Sequence, residues 1–193
     1  MTKTNKKELF FEESLKLIHE KGFKATTLRD IAKRLDFEVA NVYNYIESKQ
    51  SLLEEYVVDT IVEFHSSIDY IVDSSYTPED KLRTVVSHHI QMAVNKPYHL
   101  ALIENEWRNL KEPKLTYYLE QRESYKKKIS TIISEGIKAG EFRSLNTDII
   151  TSTFLASFRW IYKIYTNPEQ KVNPIELEKQ LVDYILKGVS NKL

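Results

Sequence analysis

Cysteine is absent from the 193 residues, and glycine (four) and proline (five) are scarce. Without cysteine there is no disulfide framework and no thiolate to act as nucleophile or ligand. Every proline lies at or after Pro78, so tight turns are few and long uninterrupted elements follow. No apolar run reaches the roughly 18 residues that a membrane-spanning helix needs. The opening stretch, MTKTNKKELFFEES, meets acids at once and has no apolar core, so no secretory signal is expected. These absences fit a cytoplasmic protein without a membrane partner. There is no glycine-rich phosphate loop, and the histidines show no motif pairing them with serine or with paired carboxylates. His65 and Asp69 stand four residues apart, but no third ligand accompanies them. Neither an enzyme, a metal site nor a cofactor is expected.

Net charge is also zero, yet it is unevenly spread. Residues 1–49 carry ten Lys/Arg against eight Asp/Glu, and the remainder carries eighteen against twenty. A mildly basic N-terminal part on a mildly acidic body is a pattern of nucleic-acid-binding chains.

What is present is helical periodicity throughout. A first helix from about Lys6 to Lys21 places Phe11, Leu15 and Ile18 on one stripe and stops at Gly22. Thr26 and Thr27 offer an N-cap for LRDIAKRL. Asp36-Phe37-Glu38 breaks the chain before VANVYNYI, and Ser48 caps the long helix that follows. Thr77-Pro78, Pro97, Pro113, Asn146 and Asn173-Pro174 open further helices, while Gly140, Asn167-Pro168 and Gly188 close them. The expectation is an all-α protein of about nine helices.

Three short helices within some 40 residues, the second and third joined by three residues, read as a helix-turn-helix within a three-helix module. Ile31, Leu35, Val39, Val42 and Ile46 supply its core, and Ala32 permits close approach of the second and third helices. The inward set on the third helix leaves Ala40, Asn41, Asn44 and Tyr45 pointing out. Amides pair bidentately with adenine and Ala meets a thymine methyl, so this face suits the major groove. The same residues also suit a helical hairpin at the end of a bundle, with the amides and phenols merely solvated. On that reading the chain is an adaptor that binds no operator.

The stretch FEESLKLIHEKGFKATTLRDIAKRLDFEVANVYNYIESKQSLL resembles the N-terminal domain of the tetracycline-repressor family of bacterial regulators. The matching pieces are Gly22-Phe23, Thr26-Thr27-Leu28, Asp30-Ile31-Ala32, Val42-Tyr43, and Ser48-Lys49 with Leu52. The resemblance implies that Thr26, Thr27, Arg29, Tyr43 and Lys49 grip phosphate. It implies base-edge contacts from Glu38, Asn41, Asn44 and Tyr45. It further implies a DNA-binding domain over residues 1–49 and a ligand-binding and dimerisation domain over 50–193. Three positions depart from the family pattern: Asp36 where Gly is usual, Glu38 where Ser or Thr is usual, and Ile46 where Phe is usual.

The last two helices are apolar on more than one side, through Phe154, Leu155, Phe158, Trp160, Ile161 and Ile164, then Leu177, Leu181, Val182, Ile185 and Val189. Such helices want two neighbours, either a larger core or a twin chain. The resemblance implies the twin: a homodimer through these helices on a palindromic operator of double-stranded DNA. The C-terminal part is also similar to a subgroup that responds to acyl-CoA thioesters, which implies a small lipophilic effector. Arg122 falls on the stripe Tyr118, Arg122, Tyr125, Ile129, Ile132 and is expected to face the core, paired with an internal carboxylate or an anionic ligand group. Candidate ligand-binding residues are His89, Trp107, Arg122, Tyr125, Phe158, Arg159 and Tyr162.

Overall fold

The computed structural model describes residues 3–170 and 172–190. Among them are ten α-helices: α1 (Lys3–Lys21), α2 (Leu28–Arg34), α3 (Val39–Val42), α4 (Lys49–Asp73), α5 (Pro78–Asn95), α6 (Pro97–Glu106), α7 (Lys114–Lys138), α8 (Thr147–Ala156), α9 (Tyr162–Thr166) and α10 (Pro174–Val189). A 3-10 turn, Trp107–Asn109, follows α6.

The start and stop signals act as side-chain chemistry dictates. Thr27, Thr77, Asn146 and Asn173 each accept a hydrogen bond from an amide in the first turn of the helix they precede. Each such cap contributes about 1 kcal/mol. Ser48 and Ser51 bond reciprocally at the start of α4. Gly22 and Gly140 follow α1 and α7 with φ of 84° and 74°, which a side chain would resist. Asp36, where the family usually has Gly, takes φ 54°. Aspartate tolerates this left-handed backbone better than most residues.

Two expectations about helix extent change. VANVYNYI is helical only over Val39–Val42; Asn44 and Tyr45 then bond three residues back, to Asn41 and Val42. The eighth expected helix divides into α8 and α9. Between them Phe158, Arg159 and Ile161 also bond three residues back, tightening the chain. Both tight stretches are rich in aromatic or β-branched side chains, which are mediocre helix formers.

The chain compacts into two units. One extends to Thr60 and includes Tyr98–Tyr118; the other comprises Ile61–Pro97 and the chain from Leu119. The divisions therefore fall inside α4 and α7, and α6 lies in the same unit as the three N-terminal helices. Phe10, Leu15, Ile18, Ile31, Val42, Ile46, Leu52 and Leu53 form the buried interior of the first unit. Ala32 is 1% exposed, and its carbonyl accepts from the Phe37 amide, fixing the turn between α2 and α3. In the second unit α10 packs on α5, with Leu82, Val85, Val86, Ile90, Ile129, Ile132 and Ile185 buried. There Gly136 leaves room for the ring of Phe142, which lies 2.2 Å from where a Cβ would stand.

Candidate functional site

The three N-terminal helices display one solvent face with the expected chemistry. Val42 and Ile46 are buried, so Glu38, Ala40, Asn41, Tyr43 and Asn44 project outward; Tyr43 is 58% exposed. Thr27 and Arg29, at the start of α2, are exposed as well. Thr27 forms a reciprocal capping pair with Asp30, whose carboxylate accepts from the Thr27 hydroxyl (2.6 Å) and amide (2.8 Å). Those bonds, with Lys21 at 2.9 Å, hold the Asp30 carboxyl well below the usual carboxylate range. Glu38 precedes α3 but makes no capping bond, as its length and acceptor geometry would lead one to expect.

Three of the expected DNA-contacting residues are placed differently. Thr26 is completely buried, and its hydroxyl donates to the Gly22 carbonyl at 2.8 Å, closing the turn rather than facing outward. Tyr45 packs its ring on Phe10 (centroids 4.7 Å apart, 16° between planes) and beside Phe37 (6.0 Å, 19°), so it is an inner wall of the module. Because the chain tightens after Val42, Tyr45 turns away from the side on which an ideal helix would expose it.

Lys49 is the third. Its ammonium donates to the carbonyls of Phe23, Thr26 (2.5 Å) and Lys24 (3.4 Å) and sits 4.4 Å from the Phe23 ring centre. An ammonium has three donors, and all three face the turn between α1 and α2. Burial lowers the Lys49 pKa, against the opposing pull of Glu106 and Asp30.

Other cations sort in the same way. Arg34 forks onto Glu20 (2.6 and 2.9 Å) and reaches Glu13 (2.9 Å), binding α2 to α1. Lys24, Arg29 and Lys33 are exposed and form no ion pair among the described residues. Of these three the family resemblance points to Arg29 alone; Lys24 and Lys33 differ from Lys21 and Arg34 in that no described carboxylate comes within reach on folding, which spacing does not reveal. Spacing offers Glu106 only as one of the internal carboxylates for Arg122, not for the contacts it makes. From the end of α6, this carboxylate accepts from the Phe23 amide at 3.1 Å and from the Asn109 side chain at 2.7 Å.

In the second unit, three of the seven candidate ligand residues come together. His89 stacks on Phe158 (4.2 Å, 13°), and its Nε2 lies 3.1 Å from the Tyr125 hydroxyl. Phe64 meets both His89 (4.9 Å) and Tyr125 (5.8 Å), and Phe154 meets Phe158 edge-on at 5.0 Å. Part of the His89 residue stays accessible, but its imidazole is desolvated. Burial, with the neighbouring His88 in second place, lowers its pKa to about 3, and burial raises that of Tyr125. Tyr162 is buried in the same unit. Two buried polar atoms there, Nε2 of His88 and the Tyr165 hydroxyl, have no hydrogen-bond partner among the described residues.

The remaining candidates do not join this cluster. Trp107 belongs to the first unit, stacked on Tyr118 (5.4 Å, 27°) under the Arg108 guanidinium (4.4 Å). Arg122 is exposed, not core-facing as its stripe predicts, and Arg159 is exposed too. The stripe fails because Tyr118 and Ile129 face the interiors of different units, and a long charged side chain between them extends to water. His65 and Asp69 do converge, on the ammonium of Lys128: it lies 3.3 Å from His65 Nδ1 and bonds Asp69.

A helix-turn-helix with an exposed amide-bearing face, followed by a helical body with a histidine–aromatic cluster, defines a DNA-binding transcriptional regulator. A family model described as "Tetracyclin repressor-like, C-terminal domain" matches residues 75–189, more than half of the chain, and one described as "Bacterial regulatory proteins, tetR family" matches residues 10–56. The chain belongs to the tetracycline-repressor family. It is 22% identical over 173 residues to the HTH-type transcriptional repressor KstR2 of Mycolicibacterium smegmatis, covering 89% of this chain and 84% of that one. It is 20% identical to the fatty acid metabolism regulator protein of Bacillus subtilis, over 94% of each chain. Among solved structures, KstR2 of Mycobacterium tuberculosis shares the fold with a TM-score of 0.89 at 20% identity, over 97% of this chain and 96% of that one. The structure of AibR in complex with isovaleryl coenzyme A and operator DNA gives a TM-score of 0.77 at 19% identity, over 95% and 97%. No helix of the described residues is long and apolar enough to cross a membrane.

Proposed function

We propose that this chain is a cytoplasmic, ligand-responsive repressor, without enzymatic activity, that binds a palindromic operator as a homodimer. Residues 1–49 would supply the DNA contacts and residues 50–193 the effector site and dimer surface. The observation that carries the proposal is the outward face of α3 and the turn after it: Asn41 and Asn44 are exposed above a buried Val42, with Tyr43 and Arg29 exposed as well. Asn41 and Asn44 read base edges; Thr27, Arg29 and Tyr43 meet phosphate.

Dimerisation is supported by large apolar side chains left exposed on the last helices and in the link between α8 and α9: Ile149 (67%), Trp160 (42%), Ile175 (78%) and Tyr184 (76%). The effector reading rests on the His89–Tyr125–Phe158 cluster and on the two buried polar atoms of His88 and Tyr165, which an effector's polar groups would satisfy. AibR, of the same fold, is known with isovaleryl coenzyme A, and an acyl-CoA thioester or similar lipophilic compound is the effector proposed here. Such a compound releases DNA only by binding the DNA-free state more tightly.

The test is binding to duplexes selected by the wild-type protein from a random pool. Asn41→Ala should shift sequence preference. Arg29→Ala should weaken all duplexes alike and flatten the log–log salt slope by about 0.9, the value for one phosphate no longer neutralised. Binding without salt dependence, or none at all, would favour the adaptor reading.

A further inference from the structure

The turn joining α1 to α2 is held on both sides by side chains from distant parts of the chain. Its carbonyls, at Phe23, Lys24 and Thr26, all accept from the Lys49 ammonium at the start of α4. Its Phe23 amide donates to Glu106 at the end of α6, and Glu106 Oε1 lies 3.8 Å from where a Cβ on Gly22 would stand. Thr26 completes the turn from within through its bond to Gly22. The next residue, Thr27, begins the capping pair that starts α2, and Arg29 follows two residues on.

We infer that Lys49 and Glu106 are positioning residues for DNA recognition: together they clamp the Gly22–Thr26 turn and thereby set where Thr27 and Arg29 stand. Lys49 acts on DNA affinity through the protein's own carbonyls, not through a phosphate. Glu106 makes α6 a working part of the DNA-binding unit. The opposite signs matter. A cation is the group that gathers carbonyls, and a carboxylate is the group that gathers an amide, so neither can replace the other. Beside Glu106 a cavity of about 250 Å³ separates α1 from α6, lined by Leu15, Ile18, Ala101 and Leu102 among others. At this end the Glu106 carboxylate is the polar tie between α6 and the turn, and the clamp transmits the position of α6 to the turn.

This inference rests on the DNA-binding reading above. The experiment compares Lys49→Met, Glu106→Ala and Glu106→Gln with Arg29→Ala on the same selected duplex, over a range of salt, with folding checked by circular dichroism. Lys49→Met and Glu106→Ala should each weaken binding about tenfold, the scale of one charge-assisted hydrogen bond, with the salt slope unchanged. Arg29→Ala should flatten the slope by about 0.9, as a phosphate ligand does. Glu106→Gln keeps an acceptor for the Phe23 amide and should restore most of the affinity. Hydrogen exchange at the Phe23 amide should quicken in Glu106→Ala and not in Arg29→Ala. A slope flattened by Lys49→Met would make Lys49 a phosphate ligand and overturn the inference. So would unaltered affinity in folded Glu106→Ala, or unaltered exchange at Phe23, which can be read even if Lys49→Met does not fold. If the wild-type protein selects no DNA, the functional reading falls and this inference falls with it.

Discussion

The two units differ in the chemistry at their candidate sites, although the second also holds helix ends by charge, as where Lys81 donates to the Val72 carbonyl and Glu141 accepts from the Glu79 amide. In the first, turns and helix ends are held by charges: Lys49 on three carbonyls, Glu106 on an amide, Asp30 on Thr27, and Arg34 on Glu13 and Glu20. In the second, the central cluster is built from rings, and its histidine is kept neutral by desolvation. On the proposed function, the contrast follows from what each surface must meet. A unit that binds a polyanion needs cations at its surface, and any cation bonded internally is subtracted from that face. Of Lys21, Lys24, Arg29, Lys33, Arg34 and Lys49, three are engaged within the unit as ion pairs or a clamp, which leaves Lys24, Arg29 and Lys33 for a partner. An interior that receives a lipophilic compound is better served by apolar, uncharged walls.

The strongest test of this contrast removes the main apolar anchor of the charge-held unit. Phe10 is fully buried and stacks on Tyr45. Phe10→Ala should cost about 4 kcal/mol, the transfer and cavity terms together. Each unit carries one tryptophan, Trp107 in the first and Trp160 in the second, so urea unfolding can be followed in either unit after replacing the other tryptophan by Phe. The midpoint seen by Trp107 should fall further than that seen by Trp160. Equal shifts would show one cooperative structure and remove the basis for treating the units as separately stabilised.

A second, smaller effect belongs to the ring-built unit. Unfolded His89 takes up its proton near the ordinary value of 6.5, whereas the native chain does so only near about 3. Well above pH 6.5 both states are neutral there and stability is complete. As pH falls from 6.5 toward 3, the unfolded chain gains the proton and the native one does not, so stability declines with acidification. Between pH 7 and pH 5 the loss should reach about 2 kcal/mol. His88 is shifted in the same direction and adds to it. Urea midpoints at the two pH values should therefore converge in His89→Phe, with the remainder of the effect left to His88. No change in the pH dependence on substitution would mean that His89 is solvated in the native state.

Much of this architecture is legible in the chain because it is written in local chemistry. Caps at Thr27, Thr77, Asn146 and Asn173, and stops at Gly22 and Gly140, act where their side chains or backbone freedom require. The inward placing of Ile31 and Val42 follows helical spacing, and so does the outward placing of Asn41; Asn44 and Ile46 keep their expected sides although the chain tightens after Val42. What is not legible depends on residues far apart in sequence. Lys49 looks like any basic residue at a helix start, and only the return of the chain beneath the Phe23–Thr26 carbonyls engages it. Glu106 is 83 residues from the amide it accepts. Spacing alone turns Arg122 to the core and gives no sign that Trp107 lies in another unit, but the division of α7 at Tyr118 and Leu119 gives its two ends different neighbours. Tyr45 departs from its expected side for a local reason, the loss of helical pitch after Val42.

Glu38 gives the smallest test and bears on the contrast most directly, since it is an acid on the face meant for a polyanion. It is exposed, it occupies the N-cap position of α3, and its side chain caps nothing. Threonine there can accept from a first-turn amide, and a short β-branched side chain holds the extended backbone that the position already has (φ −66°, ψ 142°). Glu38→Thr should therefore stabilise the protein by about 0.5 kcal/mol, the gain of a cap less the modest benefit of a carboxylate at a helix start. Its effect on DNA should be uniform: removing a negative charge from the face should strengthen binding to every duplex tested, most at low salt. Measuring affinity on duplexes varied one base pair at a time checks this. A gain on most sequences with a loss confined to those bearing cytosine at one position would instead make Glu38 a reader of the cytosine amino group. The charge-held unit would then keep an uncapped, exposed acid for specificity, and only its cations would be sorted by what they bond internally.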